Sequence, residues 1–205
     1  MVLIVGVSTA AGMLAGSRLA AAPTSPPADD SVEAGFARDM STHHAQAVQM
    51  SVLVRERTQD PEVATLALDI LLTQQQQIGQ MYAWLDRWNL PRASSRPAMA
   101  WMEDSPAMTS MDGSMPTGQS TMPGMASNEG LDRLRAAAGE EADRLFLQLM
   151  IPHHQAGVAM AEVAAAQAAD DDVRRLAQTI VDSQSAEIGL LRDMLDAHGG
   201  PLPGR

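Results

Sequence analysis

The chain is predicted to be all-α, a four-helix bundle made from two repeated helical hairpins joined by a methionine-rich linker. Three observations point there. Alanine is abundant, aromatics make up 3% of residues, and β-branched runs are scarce, a balance that favours helix over sheet. Apolar residues recur at helical spacing between recognisable caps. The sequence also overlays itself at an offset of 110 residues. Phe36 falls on Phe146, Met40 on Met150, His43 on His153, His44 on His154 and Met50 on Met160. The match continues without a gap through Val63/Val173, Ile70/Ile180, Gln74/Gln184, Gly79/Gly189 and Leu85/Leu195. A fixed offset sustained over that length marks two copies of one structural unit.

The opening stretch, MVLIVGVSTAAGMLAG, is apolar and uncharged, and a Pro/Ser-rich flank follows it. Residues 1–30 are therefore expected to form an export signal or an N-terminal membrane anchor plus this flank. The apolar run falls short of the ~20 residues a membrane-spanning helix needs.

Residues 31–90 form the first unit. Ser31 is the expected N-cap of a helix ending near Arg57. The TQDP turn places Asp60 as the next N-cap and Pro61 at the first helical position. That second helix runs to about Trp88, where Asn89-Leu90-Pro91 stops it. In the second unit, within residues 128–205, a short helix starts at Asn128 and a hairpin follows. Its turn is AADDD, and Gly199-Gly200-Pro201 ends it. Each helix is amphipathic on one face, and a bundle buries four such faces together.

Residues 91–127 hold five prolines and no periodicity, so a disordered linker is expected. Disorder does not account for its seven methionines: 99, 102, 108, 111, 115, 122 and 125. Three Met-x-x-Met pairs make Met99, Met102, Met108, Met111, Met115, Met122 and Met125 candidates for an auxiliary set of thioether metal ligands.

The main chemistry centres on the paired histidines. At about 100° per residue, Phe36, Met40, His43, Ala47, Met50 and Val54 share one helix face, and His44 lies on its flank. Phe146, Met150, His153, Gly157 and Met160 repeat the pattern. The partner helices carry polar residues in otherwise apolar stripes: Gln74 and Gln77 in one unit, Gln184 and Glu187 in the other. Counted outward from each turn, these fall level with the histidines. Buried polar groups need partners, and a ligating His hands its other N–H to a carboxylate or carbonyl. His43, His44, His153 and His154 are thus candidate metal ligands, with Met40, Met50, Met150 and Met160 beside them. Gln74, Gln77, Gln184 and Glu187 are candidates to orient the rings. In a simple up-down bundle the first and third helices run parallel across a diagonal, which would gather all four histidines at one level. Two separate sites, one per hairpin, are the alternative. Pro152 is expected to kink its helix just before the second pair.

Net charge is −11, which argues against nucleic acid as a partner and favours cations. Without cysteine, a soft metal must use Met sulfur or His nitrogen. That donor set suits copper, as Cu(I) or Cu(II), with Ag(I) as a substitute for Cu(I). Di-iron chemistry needs Glu-x-x-His, and neither pair has Glu three residues before it. No enzymatic role is expected, although copper redox activity stays open. The alternative is an exported helical interaction module whose histidines only hydrogen-bond in the core. Oligomeric state is open.

The stretches FARDMSTHHAQAVQMS and RLFLQLMIPHHQAGVAMAE resemble the His-His motif of a secreted bacterial family catalogued as domain of unknown function 305. QSAEIGLLRDML is similar to that family's second-helix pattern. QQQQIGQMYAWL follows it too, with Gln77 where the pattern prefers an acid. The resemblance implies a ferritin-like helical fold in one or two copies, export, a functional His pair and, in some members, copper binding.

Overall fold

A computed structural model describes residues 25–103, 105–106 and 122–203. The expected export segment lies almost wholly outside them, as do Met108, Met111 and Met115. Among the described residues there are five α-helices and no strand. These are α1 (Val32–Arg55), α2 (Pro61–Arg87), α3 (Asn128–Ala136), α4 (Glu140–Gln167) and α5 (Asp171–Ala197), with a 3-10 turn at Ala100–Met102. None is long and apolar enough to cross a membrane.

The starts follow from capping chemistry, since the first N–H groups of a helix have no partner within it. Ser31 accepts from the Ala34 N–H at 3.2 Å. Asp60 accepts from Glu62 and Val63 at 2.7 and 3.3 Å. Asp170 repeats this with Asp172 and Val173 at 2.8 and 3.2 Å. Pro152 does not end its helix: α4 runs unbroken from Glu140 to Gln167.

The repeat units are hairpins, but they join differently from the simple up-down arrangement. Gly139 N–H, before α4, donates to the Arg57 carbonyl just past α1 at 2.9 Å. At the other end, Asp170 N–H, past α4, donates to Glu33 at the start of α1, 3.3 Å away. So α1 and α4 are antiparallel neighbours, not parallel diagonal partners. The Arg87–Asp170 ion pair (3.9 Å) and the His198–Asp60 contact (3.4 Å) likewise join opposite ends of α2 and α5. The two units are thus related by an approximate two-fold axis across the bundle, between α1 and α4.

This topology gives the connection after α2 a job. It must run the length of the bundle to reach the start of α4, and its described ends pack against the helices. The expectation of a disordered linker fails for its described ends. Met99, Met102 and Met122 are 4%, 1% and 6% exposed, within the core cluster that holds Phe36, Met81 and Trp84. Met125 packs against the same cluster. Trp101 lies on Gly35, where any Cβ would collide with the indole, and its ring meets Phe36 edge-on at 6.0 Å. Asp39 accepts from the Met99 N–H at 2.7 Å and from Trp101 Nε1 at 2.8 Å. Burial explains these methionines: each apolar side chain taken from water stabilises the fold by about 1.5–3 kcal/mol.

Candidate metal centre

Two apolar cores fill the bundle. One holds Phe36, Met40 and Met160; the other holds Met50, Phe146 and Met150. Between them on α1 and α4 lie the histidines, all four with no solvent exposure. His44, expected on the flank, is as buried as His43, because α2 closes over it. Antiparallel packing places His43 and His153 against each other at the two-fold axis, with ring centroids 3.7 Å apart and planes tilted by 30°. His153 and His154 lie 6.3 Å apart by centroid.

The hydrogen bonds fix most of the tautomers. His154 Nε2 lies 2.6 Å from Glu187 Oε2, and His153 Nε2 lies 3.0 Å from the His43 carbonyl oxygen. A carboxylate and a carbonyl oxygen accept, so each Nε2 carries a proton, and in a neutral ring Nδ1 keeps its lone pair. His44 Nε2 lies 2.7 Å from Gln77 Oε1 and follows the same logic. The Nδ1 atoms of His44, His153 and His154 are buried without a hydrogen-bond partner, as are both ring nitrogens of His43.

Burial holds the rings of His43, His44 and His153 neutral. It pushes His43 down to about 3; neighbouring His44 and His154 push the same way, and the Pro123 backbone offsets part of this. His44 falls to about 4, chiefly by burial, against the opposing Gln77 hydrogen bond. His153 lies well below the usual imidazole range through burial and then His43, His154 and His44. These mutual influences put the four rings within one electrostatic neighbourhood. At neutral pH the Nδ1 atoms of His44 and His153, and one ring nitrogen of His43, are lone pairs, the form a metal binds.

Gln77 and Glu187 therefore touch histidines. Gln74 and Gln184 make no hydrogen bond to them: each is 2% exposed, and neither carboxamide atom has a hydrogen-bond partner. Gln184 presses on Gly157, leaving no room for a Cβ there. The methionines divide by core, Met40 with Met160 and Met50 with Met150. Among the described residues no three His, Asp or Glu side chains lie close enough to hold a metal ion by themselves. The donors available are thus imidazoles, the flanking thioethers and the free carboxamides.

Several residues that shape the site carry no motif. The crossover covers the histidine layer at Met122-Pro123-Gly124. Gly124 adopts φ +73° and rests on the Pro152 carbonyl and Ala156. Gln46 clamps the next residues by both of its amide atoms: Ala126 N–H donates to Oε1 at 2.7 Å, and Nε2 donates to the Ala126 carbonyl at 2.9 Å. A Gly in a Met-Pro-Gly-Met string signals a turn, but nothing in the string says what the turn covers.

Residues 33–195 match the sequence model of the family described as domain of unknown function 305, DUF305. The chain belongs to this family. Solved DUF305 structures are similar to it over most of its length. One, from Streptomyces coelicolor and provisionally described as a secreted protein, is 43% identical. It covers 87% of this chain and 100% of its own, with a TM-score of 0.76. A DUF305 fragment from Deinococcus radiodurans is 35% identical, covers 84% and 99%, and has a TM-score of 0.65. CopM in its Cu(II)-bound form is 29% identical, covers 82% and 97%, and has a TM-score of 0.60. CopM has also been solved with Cu(I) and with silver. Among curated proteins, the uncharacterized protein L153 of Acanthamoeba polyphaga mimivirus is 38% identical over 55 residues. That match spans 27% of this chain and 36% of the relative.

Proposed function

We propose that this DUF305 chain is an exported copper-binding protein that buffers or chaperones copper and catalyses no reaction. The ligands are His43, His44, His153 and His154, assisted by Met40, Met50, Met150 and Met160. The observation that carries this reading is the set of fully buried imidazoles whose Nδ1 atoms have no partner. Three of the four have Nε2 tied to an oxygen, the arrangement that orients a metal-ligating histidine. A buried polar atom left alone costs about 1–3 kcal/mol, so a resident ion would relieve a standing cost. Imidazole with thioether and no thiolate suits Cu(I), and Ag(I) by the same softness; imidazole also serves Cu(II). The copper- and silver-bound forms of CopM support the choice of metal.

Within this site the protein's own groups orient and exclude. Gln77, Glu187 and the His43 carbonyl hold three rings in one tautomer. The apolar cores on either side keep water away. Bound copper would supply a charge that the lone pairs stabilise. Export rests on the apolar opening stretch and the Pro/Ser-rich flank that follows it. Met108, Met111 and Met115 form the auxiliary thioether set, since the other four linker methionines serve the fold.

The test is titration of the tag-free protein with Cu(I), Ag(I) and Cu(II) against a chromophoric competitor. Replacing all four histidines by Ala should abolish tight binding while circular dichroism stays helical; unchanged affinity would falsify the site. In the unaltered chain, metal at ~100 times its Kd should raise stability by about 2.7 kcal/mol. Replacing Met108, Met111 and Met115 together by Leu should lower only the stoichiometry for Cu(I) and Ag(I).

A further inference from the structure

The two halves of the histidine layer come from a repeated sequence, yet they are not equal. At the repeat-equivalent positions 77 and 187, one half has a neutral amide and the other a carboxylate. Gln77 bonds His44 at 2.7 Å and is 3% exposed. Glu187 bonds His154 at 2.6 Å, and its side chain is 23% exposed. The histidine rings differ as well. Both second-repeat histidines have Nε2 anchored, His153 on the His43 carbonyl and His154 on Glu187. In the first repeat only His44 is anchored at hydrogen-bond geometry; the His43 ring has no more than the looser approach of the Pro123 backbone.

We propose that Glu187 sets both the order of filling and the charge preference of the site. The His153/His154 half takes the first cation, and it favours a divalent ion more than the His44/Gln77 half does. This rests on the metal-binding reading above. Two physical reasons support it. A ring already anchored in one tautomer loses less freedom when it binds, and a carboxylate partner makes imidazole a stronger donor. The carboxylate also places a negative charge one ring away from the ion. Coulomb attraction scales with the ion's charge, so Glu187 holds Cu(II) about twice as strongly, on a logarithmic scale, as it holds Ag(I) or Cu(I). Its partial exposure also makes the Glu187 side the shorter route from solvent, whereas Gln77 is sealed.

The experiment uses the full chain with Ag(I) and Cu(II) as probes. Loss of such a ring partner typically weakens metal binding about 10–100-fold. Glu187→Gln, nearly isosteric, should weaken Ag(I) about tenfold and Cu(II) about 100-fold. Gln77→Glu should strengthen Cu(II) at the first half more than Ag(I). Imidazole nitrogen NMR during substoichiometric Ag(I) addition should shift His153 and His154 before His43 and His44. The proposal is overturned if both variants bind as the unaltered chain does, if both metals weaken equally, or if the first-repeat rings respond first. A chain that binds neither metal would overturn the copper reading itself. Binding that needs the four histidines but ignores position 187 would overturn only this inference.

Discussion

Replacing Gly124 by Ala isolates the contact between the crossover and the histidine layer. Gly124 has φ +73°, where an L-residue such as alanine costs about 1–2 kcal/mol. A Cβ there would also lie 2.5 Å from Ala156 Cβ and collide with the Pro152 carbonyl oxygen. Neither neighbour is the free end of a flexible side chain. Overpacking of this kind adds about 1–3 kcal/mol, so the total loss is about 2–5 kcal/mol. For a chain of this size each kcal/mol moves Tm by about 2–4 °C, so a fall on the order of 10 °C is expected. Thermal unfolding followed by circular dichroism reads it. The matched control is Gly79→Ala in α2, where an added Cβ meets nothing within 4 Å. There the same change should stabilise by about 0.5–1 kcal/mol, because alanine loses less entropy in a helix. Because Pro123 lies beside His43, Gly124→Ala should also speed Ag(I) release. A Tm within 1–2 °C of the unaltered chain, well inside the predicted fall, would show that residues 122–125 are not seated on α4.

Acid should destabilise the metal-free protein through its histidines. Burial lowers His43 to about 3 and His44 to about 4, so the unfolded chain binds more protons below its own pKa of about 6.5. Stability is therefore full above that value and falls as pH drops towards 4, by on the order of 2 kcal/mol per ring at pH 5. Denaturant midpoints between pH 7.5 and 5 measure this, and a flat profile would mean the rings are solvated. Asp39, raised by burial, pushes the other way at lower pH. Asp39→Ala should cost about 2–5 kcal/mol by stranding the Met99 and Trp101 N–H donors, with a red shift in tryptophan fluorescence as the check. Gln46→Ala removes both clamps on Ala126; a loss of about 1–3 kcal/mol and faster amide exchange at Ala126 are expected, and unchanged exchange would count against the clamp.

How much was legible in the sequence differs between fold and site. The helices, their caps and the hairpins were readable, because capping and amphipathic period are local properties of the chain. The pairing of position 44 with 77 and of 154 with 187 was within reach of a count from each turn, since an antiparallel hairpin couples the two helices by sequence distance alone. Gln74 and Gln184 passed the same count but bond to no histidine: the count gives level along the bundle, not direction around it. The burial of the linker's described ends is not legible, because Met99, Met102 and Met122 have no periodicity of their own; the core cluster they enter, with Phe36, Met81 and Trp84, determines it.

By itself, then, the sequence determined two helical hairpins, a duplicated His-His motif and a polar residue level with each pair. These follow from short-range geometry that any copy of the repeat must obey. Only the tertiary structure decided that the hairpins meet antiparallel, so that His43 stacks on His153, Met40 shares a core with Met160, and Met50 with Met150. It also decided that the crossover closes over that layer through Gly124. Such choices depend on which buried faces fit together when two units dock. Contacts between residues 110 apart contribute nothing to the local pattern that a sequence displays.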